Sequence, residues 1–171
     1  MTAAWPKDEV ATADELATLT AFLGHQREFL IRKTSGLNEE QMRTAACPPS
    51  DLTLLGLVRH ASEVERHWAK KSFAGSDIGF IYCGSAHPEG DKDGDFHPPS
   101  DATMEEALAV LRDEADDADA IYRDAALDDI ERSARSFYSL RWILVHLIEE
   151  YARHLGHADL IREAIDGQKG E

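Results

Sequence analysis

Apolar side chains recur at three- and four-residue steps in four separate stretches of this chain, with polar residues filling the positions between. In the first stretch Leu16, Leu19, Phe22, Leu23, Phe29 and Leu30 fall along one side of a helix. The pattern predicts a helix over 13–35, capped by Thr12 or Asp14 and stopped at Gly36. Leu54, Leu57, Val58, Ala61, Val64 and Trp68 predict a second helix over 52–73. Its cap is expected at Ser50 or Asp51, because the preceding Cys47-Pro48-Pro49 cannot be a helix interior, and its end at Gly75. Leu108, Leu111, Ala115, Ala118 and Ile121 mark a third helix over 101–126, started by Ser100 or Asp101. The fourth, over 139–166, collects Leu140, Ile143, Leu144, Leu147, Tyr151, Leu155, Ala158, Ile161 and Ile165 on one side and meets Gly167.

Residues 74–100 are different in kind. They are rich in Gly, Pro, Ser and Asp, with one apolar island at Ile78–Tyr82 where a short strand is conceivable. A connection of this length in a compact chain is a lid or a crossover. Four amphipathic helices in 171 residues most economically form an all-α four-helix bundle. We therefore expect one domain over 1–171, with a long crossover between the second and third helices.

Composition narrows the partners. The chain carries 18 basic and 33 acidic residues, a formal charge of −15, which disfavours nucleic acid and anionic lipid surfaces. The run Asp113, Glu114, Asp116, Asp117 and Asp119 reads as a solvated face of the third helix. The opening MTAAWPKDEVATADEL lacks a basic region followed by an apolar run and does not read as a signal peptide. No apolar stretch reaches the roughly 18–20 residues of a membrane span. With only two cysteines, Cys47 and Cys83, at no metal-binding spacing, a reducing cytoplasm is the expected setting.

Candidate chemistry lies on the last helix. His154 falls inside its apolar stripe and Glu150 at the stripe's edge, one turn earlier. A carboxylate buried there costs several kcal/mol, of the order that a compensating cation recovers. A divalent ion compensates the charge and takes the neutral imidazole as a second ligand; the i, i+4 spacing lets one ion reach both. The second helix offers His60, Glu63 and His67; His60 and His67 lie two turns apart on nearly the same side, either could be the third ligand, and periodicity does not choose between them. His146 and His157 lie farther from the stripe centre, and His25, His87 and His97 follow no usable pattern.

The string His146-Leu-Ile-Glu-Glu150-Tyr-Ala-Arg-His154-Leu-Gly-His157-Ala-Asp-Leu-Ile-Arg162-Glu163 resembles the last-helix signature of DinB-like proteins, in the branch of mycothiol-dependent maleylpyruvate isomerase and thiol transferases. Leu57-Val-Arg-His60-Ala-Ser-Glu-Val-Glu-Arg-His67-Trp68 is similar to the matching second-helix signature. The resemblance implies up–down–down–up topology and a divalent metal, Zn²⁺ or Ni²⁺, held by His60, Glu150 and His154. It is the resemblance that selects His60 over His67. It further implies open coordination positions, a low-molecular-weight thiol such as mycothiol as cosubstrate, a small electrophile as its target, and a homodimer. The expected function is thus a metal- and thiol-dependent transferase or isomerase; the alternative is a non-catalytic metal or small-ligand binding protein linked to stress. A di-iron carboxylate centre is disfavoured, because it needs Glu-x-x-His pairs and this chain has Glu150-x-x-x-His154.

Overall fold

The structure, a computed structural model, describes residues 8–133 and 137–170. Its helices are α1 (Asp8–Ala11), α2 (Glu15–Arg32), α3 (Glu39–Met42), α4 (Leu54–Glu65), α5 (Met104–Arg123) and α6 (Leu140–Asp166). The four long ones fall within the ranges predicted from periodicity. Two caps differ from expectation. Thr53, not Ser50 or Asp51, caps α4 through its side-chain bond with the Gly56 N–H. Thr103 opens α5 in a capping box with Glu106, two residues beyond the expected start. Asp14 caps α2 as anticipated, and Gly167 ends α6 in the left-handed conformation that suits glycine.

Beyond Glu65 the second helix continues as a π-helix over Arg66–Phe73, which periodicity did not foresee. The Ala74 N–H, for example, donates to the carbonyl five residues back, at Ala69, at 2.9 Å. Among the described residues there is no strand: Ile78–Tyr82 is irregular, and only an isolated bridge joins Ile130 to Ser139.

Side-chain pairs fix the directions of the long helices. Glu15 meets Arg141 near the starts of α2 and α6, and Lys33 meets Asp159 near their ends, so these two run parallel. Arg66 meets Glu114, Lys70 meets Asp117 and Phe73 meets Tyr122, so α4 with its π extension runs parallel to α5. His60 lies against Glu150 and Trp68 against His146, which makes α4 antiparallel to α6. The result is up–down–down–up, with Leu23, Leu30, Leu55, Val58, Leu111, Ile143, Leu144 and Leu147 in one shared core.

The acidic run on α5 is not simply a solvated face. Glu114 is buried and pairs with Arg66 and Lys70, Asp117 also pairs with Lys70, and Asp119 reaches Arg27. At the centre of the bundle Arg27 bonds both carboxylate oxygens of the fully buried Glu65, at 2.7 and 2.8 Å. Tyr151 donates its hydroxyl to the same carboxylate at 2.8 Å. One ionic cluster thus ties α2, α4, α5 and α6.

Candidate metal centre

His60 sits at the middle of α4, and Glu150 and His154 sit one turn apart on α6. Because the two helices are antiparallel neighbours, the three side chains converge. Glu150 Oε1 is 3.2 Å from Nε2 of His60 and 3.2 Å from Nε2 of His154. One ligand atom from each of the three can be chosen so that all lie within 4.8 Å of one another. The donor set tests well against a divalent ion. Four-coordinate zinc, at about 2.0–2.1 Å from N and O donors, spaces its ligands roughly 3.3 Å apart. The two Glu150–His separations are already close to that spacing. Two imidazoles and one carboxylate also match the ligand types of open catalytic zinc sites.

Each of the three side chains is mostly buried, at 15–19% exposure. A small cleft beside them is walled by Leu30, Leu57, Ala61, Val64 and Tyr151. Burial opposes the charge of Glu150, yet the bond with His60 and the nearby His154 and Arg153 hold its carboxyl below the usual range. Burial and the neighbouring His60 lower the His154 imidazole, which keeps it in the neutral form a metal requires. For His60 burial acts the same way, but Asp95 and Glu150 outweigh it and raise the imidazole.

The crossover delivers two residues to this centre. Asp95 Oδ2 lies 2.7 Å from His60 Nδ1, and the Phe96 ring stacks on the imidazole at 4.5 Å between centroids. Helix α4 itself holds this loop in place. Glu63 Oε1 accepts the backbone N–H groups of Ile81, Tyr82 and Cys83. Arg59 donates to the carbonyls of Gly94 and Asp95 while its guanidinium lies 3.8 Å from the Tyr82 ring centroid. Gly56 makes room for the approach: a Cβ there would stand 3.1 Å from the Phe96 carbonyl oxygen.

Among the other histidines, His157 approaches His154, with their Nδ1 atoms 3.4 Å apart. His67 is exposed on the π-helix against the edge of Trp68, outside the triad. His146 stacks on Trp142 and meets Trp68, in a group of rings between the π-helix and α6 that includes Tyr138. Asp95, Phe96 and Arg59 were not singled out from sequence, and Glu63 was noted beside His60 and His67 without its role in holding the loop. Asp95 and Phe96 sit in an aperiodic segment, and Arg59 and Glu63 look like ordinary polar positions of an amphipathic helix.

A sequence model of the mycothiol-S-transferase family matches residues 18–167. A conserved protein from Enterococcus faecalis shares the fold at a TM-score of 0.62 and 14% identity, over 92% of this chain and 100% of that one. A search of curated proteins gives no significant match.

Proposed function

The chain belongs to the mycothiol S-transferase family, and from that premise we propose that His60, Glu150 and His154 hold one divalent cation, Zn²⁺ in the first instance, for transfer of a low-molecular-weight thiol to a small electrophile. The observation that carries the reading is the convergence of two Nε2 atoms on one carboxylate oxygen at 3.2 Å each. A divalent cation supplies Lewis acidity that lowers the pKa of a bound thiol, so that thiolate is available at neutral pH.

The chain's own residues account for the remaining requirements. Glu150 contributes the one negative charge of the ligand set, and His154 contributes a neutral lone pair. Leu30, Leu57, Ala61 and Val64 limit water around the polar groups. Neither Cys47 nor Cys83 lines the cleft beside the three candidate ligands, and burial pushes the Cys83 thiol up to about 12, leaving almost no thiolate at pH 7, so the nucleophile is taken to come from outside the chain. In the reaction the sulfur forms a bond to the electrophilic carbon. The leaving group departs with its electron pair, or, in an addition, the pair is protonated. A homodimer in the cytoplasm completes the reading; no helix among the described residues is long and apolar enough to cross a membrane.

The test combines metal analysis with a thiol-dependence assay. Purified protein dialysed against Zn²⁺ should bind one equivalent and consume a generic electrophile only when mycothiol is present. His154→Ala should lose both. Full stoichiometry in His154→Ala would refute the ligand set; one bound metal with no thiol-dependent turnover would leave a binding protein instead of an enzyme.

A further inference from the structure

Asp95 accepts two hydrogen bonds whose directions are fixed by different parts of the chain. Its Oδ1 accepts the Phe96 backbone N–H at 3.1 Å, and its Oδ2 lies 2.7 Å from His60 Nδ1. The residue is only 5% exposed, so solvent offers little substitute for these partners. Its backbone is also pinned, because Arg59, the neighbour of His60 on α4, donates to the carbonyls of Gly94 and Asp95 at 3.0 and 3.2 Å. The acceptor therefore keeps a set distance from the imidazole it faces.

We propose that Asp95 is a positioning residue that sets the tautomer of His60, directing its Nε2 lone pair toward Glu150 and His154 and thereby setting the metal affinity of the centre. The proposal rests on the metal-binding reading given above. A neutral imidazole carries one proton, and a carboxylate without a proton can only accept. At 2.7 Å that carboxylate holds the proton on Nδ1, which leaves Nε2 as the donor atom for a cation. The Phe96 stack closes the ring's other freedom, rotation about its own axis.

The arrangement makes Asp95→Asn a sharper perturbation than its size suggests. The Phe96 N–H, which also donates to the Asp93 carbonyl at 3.0 Å, offers the new amide's oxygen a donor at the Oδ1 position, so the amide turns its NH₂ group toward His60 Nδ1. That nitrogen then has to accept, the ring proton moves to Nε2, and the ligand atom is blocked. The shape of the side chain is kept while its direction of hydrogen bonding is reversed.

The experiment measures Zn²⁺ affinity by chelator competition for the wild-type protein and Asp95→Asn, alongside thermal melts of both metal-free proteins. Two-bond ¹H–¹⁵N spectra of the histidine rings are recorded for the same samples. We expect affinity to fall roughly 10–100-fold, the range found when such outer partners are removed. In Zn²⁺-loaded wild type, His60 should carry an exchange-protected proton on Nδ1; in the metal-free variant at alkaline pH the proton should sit on Nε2. A purely structural role would shift the melt without switching the tautomer. Affinity of a folded Asp95→Asn within twofold of wild type overturns the proposal. If that variant does not fold, the wild-type spectrum decides alone: a proton on Nε2, or ligation through Nδ1, overturns it equally. Absence of Zn²⁺ binding by wild type would instead remove the metal reading beneath it.

Discussion

Replacing Arg27 with methionine deletes the cation of the central ionic cluster and keeps most of the side-chain volume. Glu65, which has no exposed surface, then loses two charge-assisted bonds of 2.7 and 2.8 Å and retains the Tyr151 hydroxyl at 2.8 Å. Asp119 loses a partner as well, but its side chain is 53% exposed and water replaces the bond at little cost. The loss is therefore concentrated on one stranded buried carboxylate. Removing one member of a buried pair costs about 3–5 kcal/mol, and in a domain of this size each kcal/mol moves the melting temperature by roughly 2–4 °C, so a drop of roughly 6–20 °C is expected. Denaturant titration with an unchanged m-value would confirm that the loss is one of stability. Arg27→Met/Glu65→Leu should recover part of it, because the double change leaves no buried charge behind and strands only the Tyr151 hydroxyl. A single variant costing under about 1 kcal/mol, or a double variant no better than the single, would refute the argument that Glu65 is stabilised mainly by Arg27.

Glu63→Gln weakens the acceptor shared by three loop N–H groups, so backbone amides of 81–83 should exchange faster with solvent while α6 amides stay protected; equal rates in both proteins would refute that anchoring. Tyr151→Phe removes one bond to the buried Glu65 carboxylate and should cost about 1.5–3 kcal/mol in denaturant titrations. The bond with Asp91 raises His97 above its ordinary value. Its contribution to stability is therefore full below the unfolded pKa near ~6.5 and is lost as pH rises through the higher folded value. The melting-temperature gap between wild type and His97→Gln should shrink on going from acidic to alkaline pH, and a gap that widens would contradict the sign.

What could be read from the sequence was whatever repeats. Leu54, Leu57, Val58 and Ala61 recur at helical steps because one face of α4 is buried, and the same logic placed His154 toward the bundle interior. Neighbouring helices were not so legible. The acidic run on α5 has a solvent-like composition, yet Arg66 and Lys70 of the π-helix draw Glu114 inward, a pairing that depends on where two helices meet. The same holds for His60 and His67: periodicity left both open, and the antiparallel packing against α6 brings His60 to Glu150 while His67 faces outward beside Trp68. Asp95 was the least readable. It reaches His60 through a loop with no period at all, held by contacts 35 and 36 residues distant in the chain.

The π-helix at Arg66–Phe73 separates the winding of the far end of this helix from the turn that carries the candidate ligand His60. A looser winding accommodates a surplus residue within a helix, and here it begins directly after Glu65, the residue held by Arg27. His60 lies before the boundary, and Glu150 and His154 belong to another helix. Gaining or losing one codon inside 66–73 would rotate Trp68 relative to Trp142 and His146 while His60 kept its address. Such a change would be felt first by the rings and by the α5 contacts of Lys70 and Phe73, and only afterwards by the three candidate ligands.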